Sequence, residues 1–317
     1  MSFISHTKWC YKTFNIDIME PCSKSRLITD TRYKSFCSIV FDYLDIDSTT
    51  RNIVFPTDAE DILGVYNIWV PQHSETAACI CYKNKNPLND QLFYCGRDIL
   101  RSLSDHIQLS SETILVTSNG DYNTHLSDIE NIPHKACMAG NLYINDKKYI
   151  PLPRSVRAKS LNDERILLDY YNQPAVKYKD VYIKFSLETN KDRTSIYSLC
   201  KQLNLTKDDN AELWPVKEWI RQAKEHYFVI SPESAGIDSA RTWDALYVQS
   251  IPVVKRSIVT EFYSQIFPMV ILDDWNELKN YKFDCQLYHN IMSKYPNYIQ
   301  YLDSQYLFEY LLSKLEV

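Results

Sequence analysis

Residues 231–246, SPESAGIDSARTWDAL, bring together side chains suited to holding a phosphate-bearing ligand. The apolar run FVI precedes them and IPVV follows, so the pattern reads strand, polar loop with one glycine, helix, strand. At such a junction the free N–H groups and the positive end of the helix dipole attract phosphate. Ser231 closes the strand, Pro232 stiffens its exit, and Gly236 supplies the flexible backbone position. Asp238 or Ser239 can cap the helix. Arg241 then falls in the first turn, where a positive charge opposes the dipole unless an anion offsets it. Pairing of Arg241 with Asp238 or Glu233 is the alternative. Asp244 follows on the same helical face, where a carboxylate can accept both hydroxyls of a ribose. Trp243, Ala245 and Leu246 read as core. Glu233 fits least: a negative charge beside a phosphate group weakens binding unless it points away or meets hydroxyls.

Positioning these groups requires strands alternating with helices. Residues 52–55 (NIVF) and 66–70 (YNIWV) read as short strands, and residues 95–107 as a helix with Ile99, Leu100, Leu103 and Ile107 on one face. Residues 113–117 (TILVT) form a buried strand ending in the turn signal SNGD. Residues 135–141, 141–144 and 149–152 read as further short strands. Between 153 and 179 the chain is polar, with three prolines around one helical stretch at 161–171, which marks an interdomain connection. The second half opens on the strand DVYIKFS (180–186), then a polar loop, a helix at 193–203, another at 214–225, and the strand leading into Ser231. After Trp275 the pattern is helical, and residues 298–315 read as a final amphipathic helix.

A chain of 317 residues exceeds what one hydrophobic core fills, so two domains are expected. The fold class is α/β. Residues 1–50 are an N-terminal extension or part of the first domain, 51–160 a Rossmann-like domain, 161–178 the connection, 179–283 the second domain and 284–317 C-terminal helices. Thirty-five basic against 40 acidic residues give a net charge of -5, with no run of five basic residues, which disfavours nucleic acid as a partner. Nine scattered cysteines without a CxxC pair suggest reduced thiols. No window approaches the roughly 18 apolar residues of a membrane span, and the N-terminus lacks a signal-peptide core. A soluble, cytoplasmic protein is expected. Neither GxxxxGK[ST] nor GxGxxG occurs, which argues against a sugar kinase or another nucleotide site of the commonest kinds.

The stretches FVISPESAGIDSARTWDAL, IPVVKRS, PMVILDDWNEL and VYIKFSLETNKDR resemble the exostosin-like glycosyltransferases, particularly the soluble forms of large DNA viruses and some microbes. ILVTSNGD and KACMAGNLYI with KYIPLP are weaker echoes in the first half. The resemblance covers residues from about 110 to 280 and keeps the order of elements. It implies a GT-B fold, two Rossmann-like domains facing across a cleft, with a nucleotide-sugar donor held by the second. No cofactor is implied beyond that donor, expected to be uridine-linked, and the acceptor would be a hydroxyl of a glycan or glycoprotein. By motif position Arg241 matches the diphosphate contact and Asp244 the ribose-binding acid, where relatives more commonly carry Glu. Asn190 and Arg193 match a loop near the donor phosphates. Relatives often have Arg and Gly after the loop proline, where this chain has Glu233 and Ser234. Cellular exostosins are anchored in the Golgi membrane, and no anchor is read in this chain.

Inverting transfer, which the resemblance implies, needs a general base within hydrogen-bond reach of the acceptor hydroxyl. Asp121, after the strand at 114–116, is the first candidate and His125 the second. A purely local turn role for Asp121 is the alternative. No metal is assigned: Asp45-Ile46-Asp47 lies far from the nucleotide loop, and Asp273 and Asp274 read as helix caps. Helix dipole and arginine can stabilise a leaving diphosphate without one. A catalytically inactive nucleotide-sugar- or glycan-binding protein of the same fold is the competing expectation.

Overall fold

The computed structural model describes residues 91–97, 100, 109–118, 120–154, 156, 161–206 and 215–315, and before residue 91 only 27–28, 33, 36–37, 39–41, 45–46, 53–54, 66–69 and 79–82. In chain order the strands are β1 (Ile39–Phe41), β2 (Asp45–Ile46), β3 (Ile53–Val54), β4 (Tyr66–Trp69), β5 (Cys79–Tyr82), β6 (Leu92–Gly96), β7 (Ile114–Ser118), β8 (Ala136–Gly140) and β9 (Tyr149–Leu152), then β10 (Lys179–Tyr182), β11 (His226–Ile230), β12 (Ile251–Lys255) and β13 (Val270–Leu272). Two parallel sheets result, one ordered β1-β6-β7-β8-β9 and the other β10-β11-β12-β13. The pairs β2-β3 and β4-β5 are antiparallel ribbons. The α-helices are α1 (Leu161–Asn172), α2 (Arg193–Gln202), α3 (Val216–Glu225), α4 (Ala240–Tyr247), α5 (Ile258–Tyr263), α6 (Cys285–Met292) and α7 (Ser304–Lys314).

Strand side chains alternate between faces, and that alternation sorts the core. In β7, Ile114 and Val116 enter one buried cluster and Leu115 another. In the second sheet, Val229 and Val254 face the first cluster while Phe228, Ile230 and Val253 face a third. The first cluster is common to both sheets: Met138, Ile150 and Leu152 of one share it with Trp219, Trp243 and Val254 of the other. Tyr263 of α5 reaches across to donate its hydroxyl to the Pro151 carbonyl at 2.5 Å. The last helix also returns to the first half, where Phe308 packs against Phe36 with ring centroids 5.0 Å apart.

Several expectations need correction. Cys95 and Gly96 end β6 instead of beginning a helix, because the apolar run LFYCG continues the strand; residues 98–99 and 101–108 lie outside the described residues. Residues 141–144 do not form a strand. Asn141 takes a left-handed conformation (φ 49°), which an Asn tolerates, and turns the chain so that only an isolated bridge joins Leu142 to Thr124. The single final helix is two elements, a 3₁₀ turn at Tyr298–Leu302 and α7, because the Asp303 carboxylate accepts from the Gln305 and Tyr306 N–H groups and restarts the helix. Residues 1–50 supply β1, an edge strand of the first sheet. Asp274 does cap the turn at Trp275, whereas Asp273 pairs with Arg256. Asp45 and Ile46 form β2, and Asp47 lies outside the described residues. Among the described residues no helix is long and apolar enough to cross a membrane. Cys37, Cys137 and Cys200 are free and buried, and burial pushes the Cys200 thiol up to about 12.

Candidate functional site at the facing strand ends

In a parallel sheet all loops that follow strands emerge at one edge, where α/β proteins bind ligands. Here the loops after β7, β8 and β9 meet the loop after β11. Ile237 N–H donates to Asn123 Oδ1 at 2.9 Å, and Asp238 N–H to Asn141 Oδ1 at 3.0 Å. Arg154, just past β9, donates its backbone N–H to Asp238 Oδ2 at 2.7 Å and Nη1 to Ser234 Oγ at 2.8 Å, and its Nη2 pairs with Asp121. Gly236 is required for close approach: a Cβ there would lie 2.5 Å from Asn141 Oδ1 and 2.7 Å from Nδ2. Its expected role as the flexible position is thus replaced by a steric one.

The loop of residues 231–239 is clamped from its own side too. The Arg193 guanidinium, with only 1% of the residue exposed, donates Nε to the Glu233 carbonyl (2.7 Å), Nη1 to that of Ser186 (3.0 Å) and Nη2 to that of Pro232 (3.2 Å). It also lies over the Phe185 ring at 5.7 Å. Burial, with the nearby Arg154 charge, brings its pKa down to about 10. Asn190 donates Nδ2 to the Ser234 carbonyl at 2.9 Å and accepts from Asp192 N–H through Oδ1. Both residues expected near donor phosphates therefore tie two loops of the second sheet together.

Asp238 is a buried junction. Its carboxylate accepts from Arg154 N–H, from the Trp243 indole at 2.8 Å and from Ser239 N–H at 2.6 Å, while burial raises its pKa. Ser239 takes the N-cap position of α4 with an extended backbone, as one of the two alternatives had it, yet its side chain caps nothing. Its Oγ is buried without a hydrogen-bond partner, and the residue is 3% exposed. Ser231 Oγ meets Thr242 Oγ1 at 2.9 Å. Half-buried Arg241 donates Nε to the Lys184 carbonyl at 3.1 Å, a main-chain partner that differs from the alternative pairing with Asp238 or Glu233.

Asp244 faces the core. It is 1% exposed, and Oδ1 accepts from the Tyr171 hydroxyl of α1 at 2.6 Å. Ribose hydroxyls cannot reach it in this arrangement, because the helix turn that places it three residues after Arg241 rotates it onto α1. Glu233 is half-buried, and the charges that act on its carboxyl are those of Lys255 and Asp192. Burial raises its carboxyl pKa, Lys255 opposes that and Asp192 adds to it. Asp121 is 66% exposed at its side chain, and its ion pair leads across to Arg154, whose side chain is 27% exposed. His125 is exposed, packs its ring 5.3 Å from that of Tyr143, and precedes the 3₁₀ turn Leu126–Asp128. The fold brings Asp121 to the junction, whereas among the described residues His125 makes no hydrogen bond or ion pair with it.

Sequence reasoning missed Arg154, Asn141, Asn123 and Ser234. The one available signal was position: a basic residue directly after a parallel strand sits at the sheet's ligand-binding edge. Among the described residues no group of three or more His, Cys, Asp or Glu is placed to hold a metal ion.

Fold and site together define an α/β protein with two parallel sheets, compatible with two Rossmann-like domains, whose strand-end loops converge on the start of α4. No family model and no curated protein matches the chain.

Proposed function

We propose that the protein is a glycosyltransferase of GT-B type that moves a sugar from a uridine-linked nucleotide donor to a hydroxyl of a glycan or glycoprotein. The observation that carries the reading is the start of α4: an eight-residue helix opens at the facing strand ends, with the buried N-cap hydroxyl of Ser239 lacking a partner. A helix start of this kind suits an anion, since N–H groups and dipole both favour negative charge. A donor diphosphate there would meet Ser239 and Arg241, and the fixed positive groups would stabilise charge developing on the leaving group. Asp121, on the opposite loop, is the proposed base for the acceptor hydroxyl, with inversion by direct displacement. Asp244 and Arg193 take no ligand role in this proposal, because both are already committed to protein partners. The proposed location is the cytoplasm.

A second reading is a binding protein without turnover. It is favoured by the ion pair that occupies Asp121 and by the direct seating of Gly236 on Asn141. Titration calorimetry with UDP and UDP-sugars, followed by transfer assays on glycan acceptors, separates the two: binding without transfer supports the second. For the enzyme reading, Arg241→Ala should abolish donor hydrolysis and transfer while leaving the melting temperature nearly unchanged. A large fall in melting temperature with retained activity would overturn it.

A further inference from the structure

We infer that Arg154 is an anion-binding residue of the proposed donor site and that the Asp121 carboxylate is its built-in competitor, displaced when a phosphate group arrives. This rests on the nucleotide-sugar reading and adds to it a device that couples donor binding to release of the base.

Arg154 is fixed where a ligand phosphate would need it. Its backbone N–H is held by Asp238, the residue before the N-cap of α4, and its Nη1 by Ser234 on the same loop. A guanidinium carries five N–H donors. Among the described residues, the side chain has only Ser234 and Asp121 as partners. The remaining donors, on a side chain 27% exposed, can meet a second acceptor.

The Asp121 side is built to let go. It lies on the loop after β7, its side chain is 66% exposed, and Arg154 is its one hydrogen-bonding side chain among the described residues. An exposed carboxylate returns to water at little cost, and exposed ion pairs contribute little net stability. Phosphate, by contrast, forms two charge-assisted bonds to one guanidinium. Exchange of Asp121 for phosphate is therefore favourable without any change in the buried contacts that position Arg154. The freed carboxylate then lies beside the bound donor, so the base becomes available only when the donor is present.

The test is calorimetric titration of the full chain with inorganic pyrophosphate and with UDP at constant ionic strength. Removing the competitor in Asp121→Ala should tighten pyrophosphate binding by about 1.5- to fivefold, the range set by an exposed ion pair. Arg154→Gln should weaken it at least tenfold. Simple repulsion by Asp121 would tighten binding whether or not Arg154 is present, so the double variant decides: it should bind as weakly as Arg154→Gln alone. If Arg154→Gln does not fold, Arg154→Lys replaces it, with the benefit of Asp121→Ala expected to shrink. Unchanged or weaker binding by Asp121→Ala, or an undiminished gain in the Arg154 variant, overturns the inference while the donor site stands. Failure of both probes to bind wild type and Asp121→Ala overturns the nucleotide reading itself.

Discussion

Replacing Gly236 with alanine should separate the two halves of the junction, and the structure sets the size of the effect. The new Cβ would lie 2.5 Å from Asn141 Oδ1, and Asn141 cannot retreat. It is 2% exposed, its backbone is held at φ 49°, and its amide accepts from Asp238 N–H (3.0 Å) and donates to the Gly120 carbonyl (3.2 Å). Moving it sacrifices two hydrogen bonds at about 0.5–1.5 kcal/mol each. Overpacking adds about 1–3 kcal/mol, so the total is about 2–6 kcal/mol. Equilibrium urea unfolding of wild type and Gly236→Ala reads this directly. The mechanism is checked by Asn141→Gly, which removes the obstructing side chain and suits the left-handed backbone. In that background Gly236→Ala should cost almost nothing, giving a coupling energy of at least about 1 kcal/mol. Additive costs, or a Gly236→Ala variant within about 0.5 kcal/mol of wild type, would refute the close-approach argument.

Arg193→Ala leaves three carbonyls, that of Pro232 buried and those of Ser186 and Glu233 half-buried, without their donor and should cost about 3–5 kcal/mol in urea unfolding; Arg193→Lys should recover only part, since an ammonium cannot span the three acceptors. A stable Arg193→Ala protein with weakened ligand binding would return Arg193 to a ligand role. His226 should make stability fall in acid. Burial and the charges of Lys179 and Lys177 bring its pKa to about 4, against a partial upward effect of its bond to the Gln222 carbonyl. Below the unfolded value of about 6.5 the unfolded chain takes up a proton that the fold refuses, so stability drops as pH falls and levels off near the folded value. The difference in unfolding free energy between wild type and His226→Gln should be flat above pH 7 and decline by up to about 3 kcal/mol between pH 6.5 and 4. A difference that does not vary with pH would contradict the buried neutral imidazole.

Elements and their order were legible wherever apolar runs stood between turn signals. TILVT, FVI and IPVV announce β7, β11 and β12, because a strand buried on both faces must be apolar throughout. Helix α4 was legible as starting after Asp238 or Ser239, and the fold chooses Ser239 as the cap position. The boundaries that failed are those where one residue chooses: Cys95 continuing a strand, Asn141 reversing the chain, Asp303 restarting a helix. Each depends on a local conformation that a hydrophobic pattern averages over.

The site was legible only as a region. Local spacing placed Arg241 and Asp244 near each other on one helix, but which of them faces the junction depends on what packs against that helix. Tyr171, 73 positions away, takes Asp244 into the core. The partners that assemble the junction are similarly remote: Arg154 reaches Asp238 across 84 positions, Asn141 across 97, and Asn123 reaches Ile237 across 114. Side-chain type, apolar period and turn chemistry are properties of neighbours along the chain, and they suffice for an α/β protein with a phosphate-suited loop. Burial, hydrogen-bond partners and charge neighbours are properties of neighbours in space. Packing of the two sheets against one shared core is what turned Arg193, Asn190 and Asp244 into supports and brought Arg154 to the site.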